Sequence, residues 1–216
     1  AASTVWGQAS LADFQKSLQA KAPFQATDFA ALQLNQPVVR LAPTSDKQEI
    51  AVTGLVNIRA DAEEFLRSYR ASMTQKTSSA ILEIGSFGPE PTINDLSGLT
   101  LDAGDIEDLK DCVVGDCQLK LSAPMIERFR TEIDWNAPNY QLAVTNLFKQ
   151  MLFDYVRDYR TRGEAALIEY NDKRDEVSLA TEQRALNAAS SYINDLLANG
   201  KSALQLADDS IVWSKI

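Results

Sequence analysis

Both cysteines of the chain, Cys112 and Cys117, lie in the run Asp108 to Leu121, Asp-Leu-Lys-Asp-Cys-Val-Val-Gly-Asp-Cys-Gln-Leu-Lys-Leu, and that run divides the sequence. Before it, short β-patterned stretches alternate with proline- and glycine-bearing loops. After it, apolar residues recur at helical spacing. The Val-Val-Gly-Asp centre reads as a tight turn, and a hairpin with a four-residue tip brings the two Cβ atoms within bridging range. Closing so short a loop removes little unfolded-state entropy, so the bond is worth about 2 kcal/mol. A redox-active pair favours Cys-x-x-Cys at a helix N-terminus, and Asp111 and Asp116 oppose thiolate formation here. A structural disulfide is the expectation, ahead of two reduced buried thiols and of redox catalysis.

The N-terminal half predicts a helix over Ser10–Ala20, with Leu11, Phe14 and Leu18 at helical spacing, and a short helical piece over Asp28–Leu34. Val38–Leu41 is a strand candidate closed by Pro43. Gln48–Arg59 is the strongest strand pattern, with Ile50, Val52, Gly54, Val56 and Ile58 on one face. Asp61 caps a helix through Tyr69 that turns Phe65 and Leu66 inward. Ser79–Gly85 reads as a strand, Phe87–Leu101 as a loop, Asp105–Lys110 as a helical turn and Gln118–Leu121 as the second arm of the cysteine hairpin. Ser122-Ala-Pro124 opens a helix, proline costing nothing in the first turn, with Met125, Ile126, Phe129 and Ile133 as its stripe. Asn139 caps the longest helix, to about Arg162, with an apolar face of Leu142, Leu147, Met151, Tyr155 and Val156. Gly163 interrupts it, and Ala165–Tyr170 continues it at an angle. Ala180–Ala198 is a helical pair broken near Ser190, and Ser210–Ile216 starts a strand.

The expected class is α+β: a small antiparallel sheet from the N-terminal half packed against a helical C-terminal half. The expected organisation is a single domain over 1–216, with 1–121 mainly strands and loops, 122–200 helical and 210–216 a terminal strand.

Charge and composition narrow the function. The formal net charge of −9 comes without a basic cluster, which disfavours nucleic acid and anionic membrane surfaces as partners. Histidine is absent, and with it go Ser-His-Asp and Cys-His catalysis and histidine zinc sites. No apolar run approaches the ~20 residues of a membrane-spanning helix. Ala1-Ala2-Ser3-Thr4 reads as the mature end of an exported, periplasmic protein, against the alternative of a chain cut at an arbitrary residue. Close cysteines also suit an oxidising compartment.

No constellation identifies a catalytic centre, and no cofactor is implied. Asp102, Asp105, Asp108 and Asp111 recur every third residue beside Glu107. They lack the glycine-punctuated calcium loop, and acids are expected in a first helical turn, so a solvated acidic face is preferred to a metal site. Glu83, Glu90, Asp95, Glu127 and Glu132 are available for paired-carboxylate hydrolysis, but nothing singles out a pair. Phe129, Trp135, Phe148, Met151 and Tyr155 form the candidate pocket for an apolar ligand, although a stripe at helical spacing is more often core. Phe153 and Tyr159 lie off the Leu147/Met151 line, which suggests a second contacting surface or a partner on the long helix.

Ile50-Ala-Val-Thr-Gly-Leu-Val-Asn-Ile-Arg-Ala-Asp-Ala-Glu-Glu-Phe-Leu66, a strand running into a helix, is similar to the opening of START-like helix-grip lipid-binding domains. Asp-Cys-x-x-Gly-Asp-Cys-x-x-Lys-Leu (Asp111 to Leu121), with Asp-Tyr-Val-Arg-Asp-Tyr-Arg (Asp154 to Arg160), resembles a set of uncharacterised exported bacterial proteins. The first resemblance implies an apolar ligand or lipid held between sheet and long helix; the second implies no activity. The leading expectation is an exported, non-enzymatic binding protein for an apolar small molecule. The alternative is an accessory or structural subunit of a cell-envelope complex, held through the exposed side of the Asn139–Arg162 helix.

Overall fold

The computed structural model describes residues 15, 16, 18, 19, 24–44, 47, 50–75, 78–189 and 210–216. The chain packs as two compact units, Ala1–Phe65 with Asn187–Ala203, and Leu66–Leu186 with Leu204–Ile216. Neither coincides with the halves at 1–121 and 122–200. The class is α+β, but the strands form three separate two-stranded antiparallel sheets among the described residues.

In the first unit, Gln15, Lys16, Leu18 and Gln19 are helical; the rest of the predicted Ser10–Ala20 helix lies outside the described residues. Helix α1 (Ala26–Gln33) begins with a capping box, Asp28 accepting from the Gln25 amide at 2.9 Å. It ends with Asn35 in the left-handed region (φ 59°), while the Asn35 and Gln36 amides donate back to Leu32 and Ala31. Asparagine tolerates that conformation where other side chains clash. Strand β1 (Val38–Ala42) then pairs with β2 (Ala51–Leu55), Val38 opposite Leu55 and Leu41 opposite Val52. Phe24 and Phe29 pack edge to face at 6.5 Å and, with Val38, form the core, against which Leu55 and Leu32 rest.

That register decides which face of the strongest strand is buried, and it is not the one that carries Ile50, Val52, Gly54, Val56 and Ile58. Val38 faces the Phe24–Phe29 cluster, so its partner Leu55 and the alternate residues Thr53 and Ala51 turn the same way. Ile50, Val52, Val56 and Ile58 are left on exposed surface. Helix α2 (Ala62–Met73) runs across the boundary between units, its first turn held by Asp61 accepting from the Glu63 and Glu64 amides at 2.9 and 3.3 Å. The Asp61 cap is as expected, but Phe65 and Leu66, expected to turn inward, are exposed, as is Tyr69.

The second unit is organised on one long helix. Strand β3 (Glu83–Ser86) leads through a 3-10 turn (Ile93–Leu96) to α3 (Ala103–Asp111) and the disulfide loop, then to α4 (Ala123–Glu132) and α5 (Tyr140–Arg162). Beyond a second 3-10 turn (Gly163–Ala166) come β4 (Glu169–Tyr170), β5 (Val177–Ser178), α6 (Leu179–Ala189) and β6 (Val212–Lys215). The predicted terminal strand is β6, antiparallel to β3. Gly85 lies opposite Trp213, and a Cβ there would come within 2.5 Å of the indole, so only glycine admits the ring. Residues 169–170 do not continue α5 at an angle; they pair with 177–178. The second half of the predicted Ala180–Ala198 helical pair lies outside the described residues.

Two apolar clusters meet α5 from different sides. Ile106, Leu109, both cysteines, Leu121, Ile126, Phe129 and Ile133 pack on Val144, Leu147 and Met151. Phe87, Leu96 and Leu99 pack with Trp213 on Phe148, Leu152, Phe153 and Val156. Phe153, read above as facing a second surface, is therefore covered by this unit's own residues, whereas Leu142, placed on the apolar face by its spacing, is exposed.

Candidate functional site

Cys112 and Cys117 are joined in a disulfide, Cα to Cα 4.5 Å, and both are buried. Val113 and Asp116 exchange backbone hydrogen bonds of 3.1 and 3.0 Å around Val114-Gly115, with Gly115 at φ 85°. That is the third position of a type II turn, where glycine is needed. The turn is as read, but Gln118–Leu121 is not its second strand arm. The loop's backbone pairs instead with Asn171 and Asp172: the Gly115 amide donates to Asn171 O (2.8 Å), Cys117 N to Asp172 O (2.9 Å) and, within 118–121, Leu121 O accepts from Asn171 N (2.9 Å). The buried Asn171 also accepts from Ala123 N at 2.7 Å through Oδ1, supplying a hydrogen-bond acceptor at the start of α4 that the Ser122 side chain does not. Asp172, also buried, is held by Lys120 Nζ at 3.0 Å.

The acidic series does local structural work. Asp102 caps α3 and exchanges hydrogen bonds with Asp105, and Lys215 Nζ reaches Asp102 at 3.2 Å and Asp105 at 2.5 Å. The Asp105 amide, helped by Lys215, holds the Asp102 carboxyl below its ordinary value. Burial works against the Lys215 ammonium, and its bonds to Asp105 and Asp102 outweigh that, leaving its pKa above the usual lysine value. Of the other carboxylates considered, Glu83 accepts from Thr100, Asp95 from the Thr92 amide, and Glu127 and Glu132 pair with Arg130 and Arg128. Glu90 is exposed.

A groove of about 580 Å³ lies between the start of α4, the C-terminal half of α5 and residues 166–168. Its floor is Pro124, Met125, Met151, Tyr155, Ala166 and Ile168. Arg128, Asp154, Arg157, Asp158, Thr161 and Arg162 line it as well. On α5 these lining residues follow from spacing, since positions three and four apart share a helix face. Arg157 contacts Asp154 at 2.9 Å and stands 5.3 Å over the Phe153 ring. Arg162 binds Asp158 through two nitrogens, and Arg128 binds Glu132 at 2.5 and 3.0 Å. Arg162 lowers the Asp158 pKa and Asp158 raises that of Arg162; Glu132 raises that of Arg128, and burial raises that of Tyr155. All four shifts move their groups further from neutrality, so these side chains hold a constant charge pattern near pH 7.

Of the five residues expected to line a pocket, Met151 and Tyr155 reach this groove. Phe129 is fully buried, 6.5 Å from the Phe148 ring, and Phe148 touches both clusters on α5. The Trp135 ring lies 5.9 Å from that of Tyr140 at a tilt of 50°. The Asp158/Arg162 and Arg128/Glu132 pairs were visible as four-residue spacings. Nothing local marks Pro124, Met125, Ala166 or Ile168 as their neighbours. A smaller hollow of about 310 Å³ is lined by Leu101, Ala103, Ile106, Gln141, Leu142 and Thr145.

Among the described residues no helix is long and apolar enough to cross a membrane. No protein-family model, curated protein or solved structure matches the chain.

Proposed function

We propose that this chain is a non-enzymatic accessory subunit of an exported assembly, and that it receives a partner polypeptide in the α4–α5 groove. The observation that carries this reading is the groove's makeup: a methionine- and tyrosine-bearing floor beside Arg/Asp pairs of fixed charge. Methionine adapts to irregular apolar surfaces, and aromatic and arginine side chains dominate the energetics of protein interfaces. The side chains on α5 from Met151 to Arg162 cover about 16 Å of helix at 1.5 Å per residue, a length suited to two or three turns of a partner helix. Export is supported by the disulfide, which persists in oxidising compartments.

The apolar-ligand reading comes second. The floor is apolar and the volume falls within the range of small-molecule sites. Against it, the groove is open along its length, whereas such sites bury most of the ligand surface.

Native mass spectrometry of the protein drawn gently from its source separates the two. The expected result is a stoichiometric complex with a different polypeptide, lost when Thr161→Trp fills the groove at an exposed position. An adduct of a few hundred daltons on a chain without a second polypeptide supports the ligand reading. A complex that survives Thr161→Trp removes the groove from the proposal.

A further inference from the structure

The β1–β2 hairpin has an apolar outer face that none of the chemistry above uses. Val39 and Leu41 of β1 share it with Gly54 and Val52 of β2, and Ile50 and Val56 continue the alternation past either end. Val39 is 60% exposed, Leu41 71%, Ile50 82%, Val52 60% and Val56 63%. Five large aliphatic side chains contiguous on one small sheet exceed the scattered single residues normal for a surface.

We infer that this face pairs two copies of the chain, hairpin against hairpin about a two-fold axis. Three features select a second copy as the occupant. The first is area. The five side chains expose on the order of 600 Å² per copy, which supplies most of the roughly 800 Å² per partner that a stable interface buries. Charge is the second. Two chains of net charge −9 repel, so they can meet only where no carboxylates oppose each other. This face carries no charge, because Arg40, the one ionised residue in either strand, is on the opposite face and bound to Asp28. The third is shape. Gly54, opposite Val39, adds no side chain to the face, and a Cβ there would meet only the Val38 carbonyl oxygen, so in an isologous pair each copy's strand is open at that point to an aliphatic side chain of the other. The hairpin's inner face is already covered by the Phe24–Phe29 cluster, and face-to-face packing of two hairpins covers the outer one as well. The surface is separate from the groove, and the inference stands without the function proposed for it.

The test is the mass of the 216-residue chain by sedimentation equilibrium from about 1 to about 100 µM. The expected species has twice the 23.8 kDa chain mass. Leu41→Lys should give a monomer with unchanged far-UV circular dichroism. Gly54→Val should weaken pairing by about tenfold or more without disturbing the fold, since a Cβ there meets only the Val38 carbonyl oxygen at 3.7 Å. A wild-type chain that stays monomeric throughout overturns the inference, as does a dimer indifferent to both substitutions. So does a monomer that floats with phosphatidylcholine vesicles and loses them on Leu41→Lys, which would assign the face to a lipid surface.

Discussion

Phe129 and Leu142 both occupy apolar positions in helical stripes, and spacing alone weights them alike. Packing separates them. Phe129 is fully enclosed between α4 and α5, whereas Leu142 keeps 61% of its surface in water. Phe129→Ala should therefore cost about 3–5 kcal/mol, from lost transfer energy and the cavity left behind. Leu142→Ala should stay within about 0.5 kcal/mol of wild type. Urea unfolding of both variants checks this, and comparable losses would mean that α5 is buried on the Leu142 side as well. The five-residue pocket expected from the sequence divides for the same reason. Met151 and Tyr155 sit where α5 leaves its cluster and meets the groove, while Phe129 and Phe148 are consumed by the core.

Among the elements, the disulfide loop ties a local cross-link to a segment distant in sequence. It joins residues 112–117 directly, and its backbone then docks Asn171 and Asp172, 54 or more positions further on. Cys112→Ala/Cys117→Ala should lose about 2 kcal/mol for the loop-closure entropy alone, plus whatever docking of Asn171 fails. The second part is measurable separately, since hydrogen exchange should rise at the Gly115, Cys117 and Ala123 amides that face residues 171 and 172. A loss with no change at those amides would confine the disulfide's role to its own loop. The turn and the bridge were readable because both are set by residues within a few positions. The pairing of Gly115, Cys117 and Leu121 with residues 171–172 was not, because no local pattern records which distant backbone satisfies a given amide.

For the whole molecule, the absence of histidine removes the side chain that ordinarily titrates between pH 5 and 8. The shifted carboxyls of Asp102, Asp158 and Glu132 lie lower in the folded state, from ordinary values of 3.8, 3.8 and 4.5. Their contribution is present above those values and is lost as pH falls through the folded ones. Lys215 is raised from 10.5, so its contribution is present below that value and lost as pH rises through the folded one. Thermal stability should therefore be flat from about pH 5 to about pH 9, with an alkaline decline that Lys215→Met blunts. A steep change in melting temperature between about pH 6 and 8 would point to a titrating group outside those named. The sequence by itself determined the α+β class, most helix and strand positions, the Asp61 cap of α2 and the cysteine turn, because periodicity, caps and turn residues act within a few positions. Helix α5 starts after Asn139 as expected, but the Asn139 side chain makes no capping hydrogen bond. Only tertiary structure decided which face of β2 is buried, since one register with Val38 turns Ile50, Val52 and Val56 to water. The groove was decided there too, because α4, α5 and residues 166–168 become neighbours only when the chain closes on itself.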